Sequence, residues 1–272
     1  MESHAPMTET PSGADLRYRN LYRLGGIAAF VQLASLLVML VAQAALGPRL
    51  TSAEEFFAVQ QASRWAAVLR GNLLLLFLIG PYLFTFPALY VALRRQSPVG
   101  AGLAALFTIM TVAMMFAAEE TLALLRLGDL HAAALTDLER AQYVAAGEAV
   151  FASGVWDSSG AYMSGMLLQG AGVLMSIIML RSRDFSRWTA YSGLLGNALD
   201  LTQHLLHPFV PAVSAAIVPF MGIFYFVWFP MLGRDLLRLA RQRAASCAVE
   251  KGNGPSQGCR QALGGKASGA NP

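Results

Sequence analysis

Six runs of about twenty or more predominantly apolar residues leave this chain few folds to choose from. They lie near Leu24–Leu46, Asn72–Leu93, Val99–Leu125, Asp157–Leu180, Trp188–Phe209 and Pro211–Leu232. Each is long enough as a helix to cross a hydrocarbon layer of about 30 Å, and none shows the two-residue alternation of a membrane strand. The expectation is an all-α, polytopic transmembrane bundle of six spans. Composition agrees: 13% of residues are charged, against about 25% in soluble domains.

The first run ends in Ala42-Gln43-Ala44, a triplet compatible with signal-peptide cleavage. The run is longer than the roughly 7–15 residues of a signal core, so it is expected to remain as a span. Residues 1–20 are polar and aperiodic, and residues 244–272 are rich in Gly, Ser, Ala and Gln. Both are expected to be disordered tails around a membrane domain at 21–243.

Arginine placement orients the spans. Arg17, Arg19, Arg23, Arg94, Arg95, Arg181, Arg183, Arg187, Arg234, Arg238, Arg241 and Arg243 fall on one side if the spans alternate. Arg49, Arg64, Arg70, Arg126 and Arg140 fall on the other. The positive-inside rule then places both termini in the cytoplasm. Trp156, Trp188 and Trp228 are expected at the interfaces. In the outer loops, Ser52 with Glu55 and Thr136 with Glu139 have capping-box spacing, which predicts two helical segments there.

The polar residues within the spans are the candidate functional groups. The stretch NALDLTQHLLHPF (197–209) carries Asp200, His204 and His207 at i, i+4 and i+7, on one helical face. Glu119 and Glu120 on the third run and Gln169 on the fourth fall at a similar outer depth, and Asp157 opens the fourth. Gly80-Pro81 and Pro219 interrupt the second and sixth runs near that level. Interrupted helices often mark binding sites in transporters. Small residues at 160, 165, 170, 172, 192, 193 and 196 let the fourth and fifth runs approach. Together these predict an outward-facing cavity for a small solute or ion, with Asp200 and His204 also candidate metal ligands. A membrane-embedded metal hydrolase and a structural or accessory subunit are the other readings. In the latter the same groups serve only packing.

Other classes find little support. EETLALLR (119–126) starts like the Glu-Glu-x-x-x-Arg motif of membrane CAAX-type proteases, but Leu124 stands where the arginine belongs. There is no zinc-protease, serine-hydrolase or phosphate-loop motif and no nucleic-acid-binding pattern, and the cofactor is unknown from sequence. Cys247 and Cys259 are read as free thiols. The partners expected are the lipid bilayer and a solute or ion; oligomeric state is not readable.

Across about residues 18–240 the chain resembles a six-span bacterial membrane family designated domain of unknown function 4386. The likeness rests on LYRLGGIAAF (21–30), ALYVALRR (88–95) and MLRSRDFSRWTAYSGLLG (179–196). It implies six spans and a bacterial origin, and the bundle is expected in the bacterial cytoplasmic membrane. It implies no activity and no functional residues.

Overall fold

Apolar runs that cannot hydrogen-bond their backbone to lipid must do so internally, and this chain does it with helices alone among the described residues. The structure, a computed structural model, describes residues 18–155 and 158–252, with side chains to 242. Arg17, Trp156, Asp157, Cys259 and the outer parts of both expected tails lie outside the described residues, and the Cys247 side chain is likewise not described. Eleven helices are described: α1 (Arg19–Leu46), α2 (Ala53–Ala62), α3 (Arg64–Arg70), α4 (Leu73–Ile79), α5 (Tyr82–Leu93), α6 (Pro98–Ala117), α7 (Thr121–Ala133), α8 (Asp137–Ala152), α9 (Ser159–Arg181), α10 (Arg187–Leu206) and α11 (Pro211–Gly252).

The long helices close a ring in chain order: α1 packs on α5, α5 on α6, α6 on α9, α9 on α10, α10 on α11, and α11 back on α1. The ring closes where Gly26 and Gly233 let α1 and α11 cross closely; a methyl on either would press within 3.0 Å of the other's backbone carbonyl. Inside are Tyr22, Leu89, Met175, Trp228, Phe229 and Leu232. Outside, Val41, Phe77, Leu106, Ile109, Phe220 and Ile223 are exposed, an apolar girdle suited to lipid. Five segments are long and apolar enough to cross a membrane: Arg19–Leu46, Leu73–Leu93, Pro98–Ala133, Ser159–Arg181 and Pro211–Gln242. α10 has a span's length, but Asn197, Asp200, Gln203 and His204 make it too polar to count among these.

The arginine-bearing ends gather at one end of the ring. Arg94 lies over the Tyr18 ring at 5.0 Å, Gln96 donates to Ser182 Oγ at 3.4 Å, and Arg238 donates to the Asp184 carbonyl at 2.6 Å.

The break at Gly80-Pro81 is satisfied from within. Proline has no N–H, so the carbonyl four residues earlier, on Phe77, loses its helical donor. Ser35 Oγ donates to Phe77 O at 3.1 Å and Gln32 Nε2 to Leu78 O at 3.2 Å. Thr85 Oγ1 donates to Gln32 Oε1 at 3.3 Å. Gln32, fully buried on α1, thus bolts α1 to the broken helix. Gln32→Leu should cost about 1–2 kcal/mol. Chemical unfolding in detergent measures it, and unchanged stability would contradict the bond from Gln32 to the Leu78 carbonyl.

At the opposite end α2, α3, α7 and α8 form a cap with its own core of Phe56, Phe57, Leu124 and Phe151. Both capping-box spacings correspond to helix starts. Thr136 Oγ1 accepts from Glu139 N at 3.2 Å while Glu139 Oε2 accepts from Thr136 N at 3.1 Å and Leu135 N at 2.9 Å. Ser52 caps α2 through Glu55 N, but Glu55 turns away to pair with Arg70 at 2.8 Å.

The Leu135 and Thr136 N–H groups hold the Glu139 carboxyl below its ordinary range. A depressed pKa contributes stability above the ordinary value and loses it as pH falls through the depressed one. Exchange protection at the α8 amino terminus, corrected for intrinsic rates, should therefore drop on acidification below the usual glutamate range. Glu139→Gln should show the loosened turn already at neutral pH. Protection unchanged in both cases would contradict this.

Three expectations need correction. The third run is no single helix to residue 125: α6 ends at Ala117, and Glu119 and Glu120 occupy the break before α7. Pro219 does not interrupt the last helix, which runs unbroken through Pro219 and Pro230 to Gly252, beyond the boundary expected at 243. Trp228 is not interfacial; it is wholly buried in the ring, whereas Trp188 is 73% exposed.

Candidate functional site

α9 and α10 run antiparallel with glycines facing the polar side chains of the neighbour. A methyl on Gly165 would overlap the His204 ring, one on Gly172 would overlap the Asn197 amide, and one on Gly193 would sit 2.6 Å from Ser176 Oγ. The small-residue spacing therefore does more than bring two backbones close. It makes room for one polar side chain per contact.

Into this seam α11 inserts Tyr225. Its hydroxyl lies 2.8 Å from Asp200 Oδ2, 3.0 Å from Gln169 Oε1 and 3.5 Å from Asn197 Oδ1. A hydroxyl has one proton to give, and the short contact to the carboxylate takes it, a charge-assisted bond. Asn197 Nδ2 donates to the Gly193 carbonyl at 2.7 Å, fixing that amide. Asp200 Oδ1 is 3.1 Å from His204 Nδ1, which also lies 2.9 Å from the Asp200 carbonyl. Both carboxylate oxygens of Asp200 are thus engaged, and its side chain is only 9% exposed while that of His204 is 20% exposed. A carboxylate this deep is costly unless paired. Histidine pairs it with a group that can gain or lose a proton near neutral pH.

Asp200, His204 and Gln169, chosen from spacing and depth, belong to one neighbourhood: Gln169 and Asp200 meet on Tyr225, and His204 on Asp200. His207 stands apart. It is exposed, ends α10, and reaches only Ser214 Oγ at 3.5 Å, where Gln203 Nε2 donates at 2.9 Å.

Glu119 and Glu120 make their contacts elsewhere. Glu119 Oε1 accepts from Thr121 N at 2.9 Å. The buried Glu120 carboxylate accepts from the Asn72 side-chain amide and from Val155 N at 3.3 Å. Asn72 N donates to Thr121 Oγ1 at 3.1 Å. Glu120 thereby ties the junctions α3–α4, α6–α7 and α8–α9 where the cap joins the ring. The shared cavity expected from depth alone resolves into two polar networks, one in the α9–α11 seam and one under the cap. Among the described residues no group of three or more His, Cys, Asp or Glu converges.

Four residues of this architecture were not candidates from sequence. Tyr225 hides in the aromatic run FYFVWF, where its hydroxyl is the only hydrogen-bonding group besides the Trp228 indole. Asn197 begins the very stretch that carries Asp200. Gln32 is one of two amides, with Gln43, in the first apolar run. Asp235 is masked by neighbouring arginines, yet it lies between Leu232 and Leu239 on the buried stripe of α11 and is itself 1% exposed. Its Oδ2 accepts from Thr189 Oγ1 at 2.6 Å and Ser186 N at 2.9 Å.

An apolar groove of about 600 Å³ between α1 and the α4–α5 break is lined by Leu24, Ile27, Val31, Phe77, Pro81 and Phe84, and by none of the polar candidates. It faces outward with the lipid girdle. Comparison with family models, with curated proteins and with solved structures returns no match to this chain.

Proposed function

We propose that this chain is a six-span protein of a bacterial cytoplasmic membrane, both termini inside, that binds and moves a small ion at the Asp200–His204 pair, the proton being the simplest case. The gathered arginines support the orientation through the positive-inside rule. α10 counts as the sixth span because Asn197 and Asp200 are turned into the ring and its lipid side carries Tyr191, Leu195 and Leu205. Membership of the family the sequence resembles would fit this topology and adds no activity.

The pairing of the buried Asp200 carboxylate with a part-exposed imidazole carries the functional reading. Arginine or lysine would neutralise Asp200 permanently, as purely structural pairing permits. Histidine makes the charge of the pair depend on proton activity. Tyr225, on α11, donates to Asp200 and holds its carboxylate in the seam. The cap packs chiefly on itself, α1 and α4, away from α10 and α11.

Proton uptake by the detergent-solubilised protein, titrated between about pH 5 and 8, tests this. The wild type should take up about one proton more per chain than the Asp200→Asn, His204→Gln double variant. Equal uptake with both proteins folded would leave the pair a packing element.

A further inference from the structure

A second buried carboxylate lies on the seam that holds Asp200. Asp235 closes the arginine-bearing end, where Thr189 and Ser186 donate to it and Arg238 approaches to 3.8 Å. Thr189 precedes Asp200 on α10 by a separation of about 16 Å along the helix axis. The two carboxylates therefore lie toward opposite ends of one interface among α9, α10 and α11.

Between them the seam is neither fully apolar nor fully satisfied. Asn197 and Ser176 border it, and Ser176 Oγ donates to the Gly172 carbonyl at 2.8 Å. The Trp228 indole N–H is completely buried and has no hydrogen-bond partner among the described residues. It is aimed at Gly193, where a methyl would sit 2.5 Å from Nε1 and 2.6 Å from Ser176 Oγ. A buried donor without an acceptor is rare because it costs free energy. Such a donor in mid-seam suits an acceptor that visits, and water is the acceptor that fits a polar, narrow passage. In the observed conformation the passage is shut by ring contacts: Trp228 lies 5.3 Å from Phe229 and 5.9 Å from Tyr225 between centroids.

We propose that the α9–α10–α11 seam is a proton route, with Asp200–His204 the outer station, Asp235 the inner station and Trp228 the barrier that transient water crosses. This rests on the reading of Asp200–His204 as a proton-binding pair. A proton taken up by the His204 imidazole passes to the Asp200 carboxylate. It crosses by water to the Asp235 carboxylate and leaves to solvent beside Arg238. Each station returns to its starting charge, so no other reactant is consumed.

The test uses the full chain in phosphatidylcholine–phosphatidylglycerol vesicles with trapped pyranine, driven by a valinomycin potassium potential. Proton flux should fall at least tenfold in Asp235→Asn and in Thr189→Val, which is nearly isosteric and keeps the carboxylate. Detergent-phase proton uptake at the outer pair should persist in both. Wild-type flux retained in both variants overturns the route, as does wild-type flux no faster than in protein-free vesicles. In that last case uptake separates the two claims: uptake present leaves the Asp200–His204 reading standing, and uptake absent removes both. Should Asp235→Asn fail to fold, Thr189→Val decides.

Discussion

Gly172→Leu is expected to cost about 3 kcal/mol, among the largest losses of any single substitution in the ring. A methyl at this position already overlaps the Asn197 amide. That amide is held by its bond to the Gly193 carbonyl and lies against the Tyr225 hydroxyl. A leucine must therefore push α9 from α10 along the line that includes His204 over Gly165 and Ser176 by Gly193. Gly170, one turn-edge away, has nothing within 4 Å of a Cβ position. Gly170→Leu should thus be tolerated and is the control for helix propensity and hydrophobicity. Equilibrium unfolding of both variants measures the contrast; equal losses would contradict the packing described.

Tyr225→Phe should be the next most damaging. It removes the proton donated to Asp200 and leaves a buried carboxylate oxygen without a partner, at a cost of about 1.5–3 kcal/mol for a bond to a charged group. The ring itself keeps its packing, with Phe229 at 5.6 Å in a stacked arrangement. Nearly all of the loss should therefore arise from the hydroxyl. In an Asp200→Asn background the same change should cost about 1 kcal/mol less, because a neutral amide tolerates the missing donor better. Additive effects would place Tyr225 and Asp200 in separate environments and contradict the observed 2.8 Å contact.

How much was legible in the sequence depends on which physical signal each feature leaves. The apolar runs and the two helix starts at Ser52 and Thr136 follow from local chemistry, and the helices form as their spacing predicts. Asp200, His204 and Gln169 could be grouped because helical spacing and a shared depth place them together. Glu119 and Glu120 were misplaced because a continuous apolar run hides a helix break. The break becomes plain only with Asn72 and Val155, which lie far away in sequence and bind Glu120. Two mid-run prolines behaved differently for a similar reason. Pro81 follows a glycine and faces the donors Gln32 and Ser35, whereas Pro219 lies within an uninterrupted helix. Tyr225 and Asp235 left weak signals, since one resembles its aromatic neighbours and the other its charged ones.

The most direct test of the central claim is the nitrogen-15 spectrum of His204 followed across about pH 5–8, in wild type and Asp200→Asn. A functional pair predicts that the His204 ring titrates and that its midpoint moves when Asp200 loses its charge, because Nδ1 lies 3.1 Å from that carboxylate. A ring that does not titrate, or a midpoint indifferent to Asp200, would contradict it.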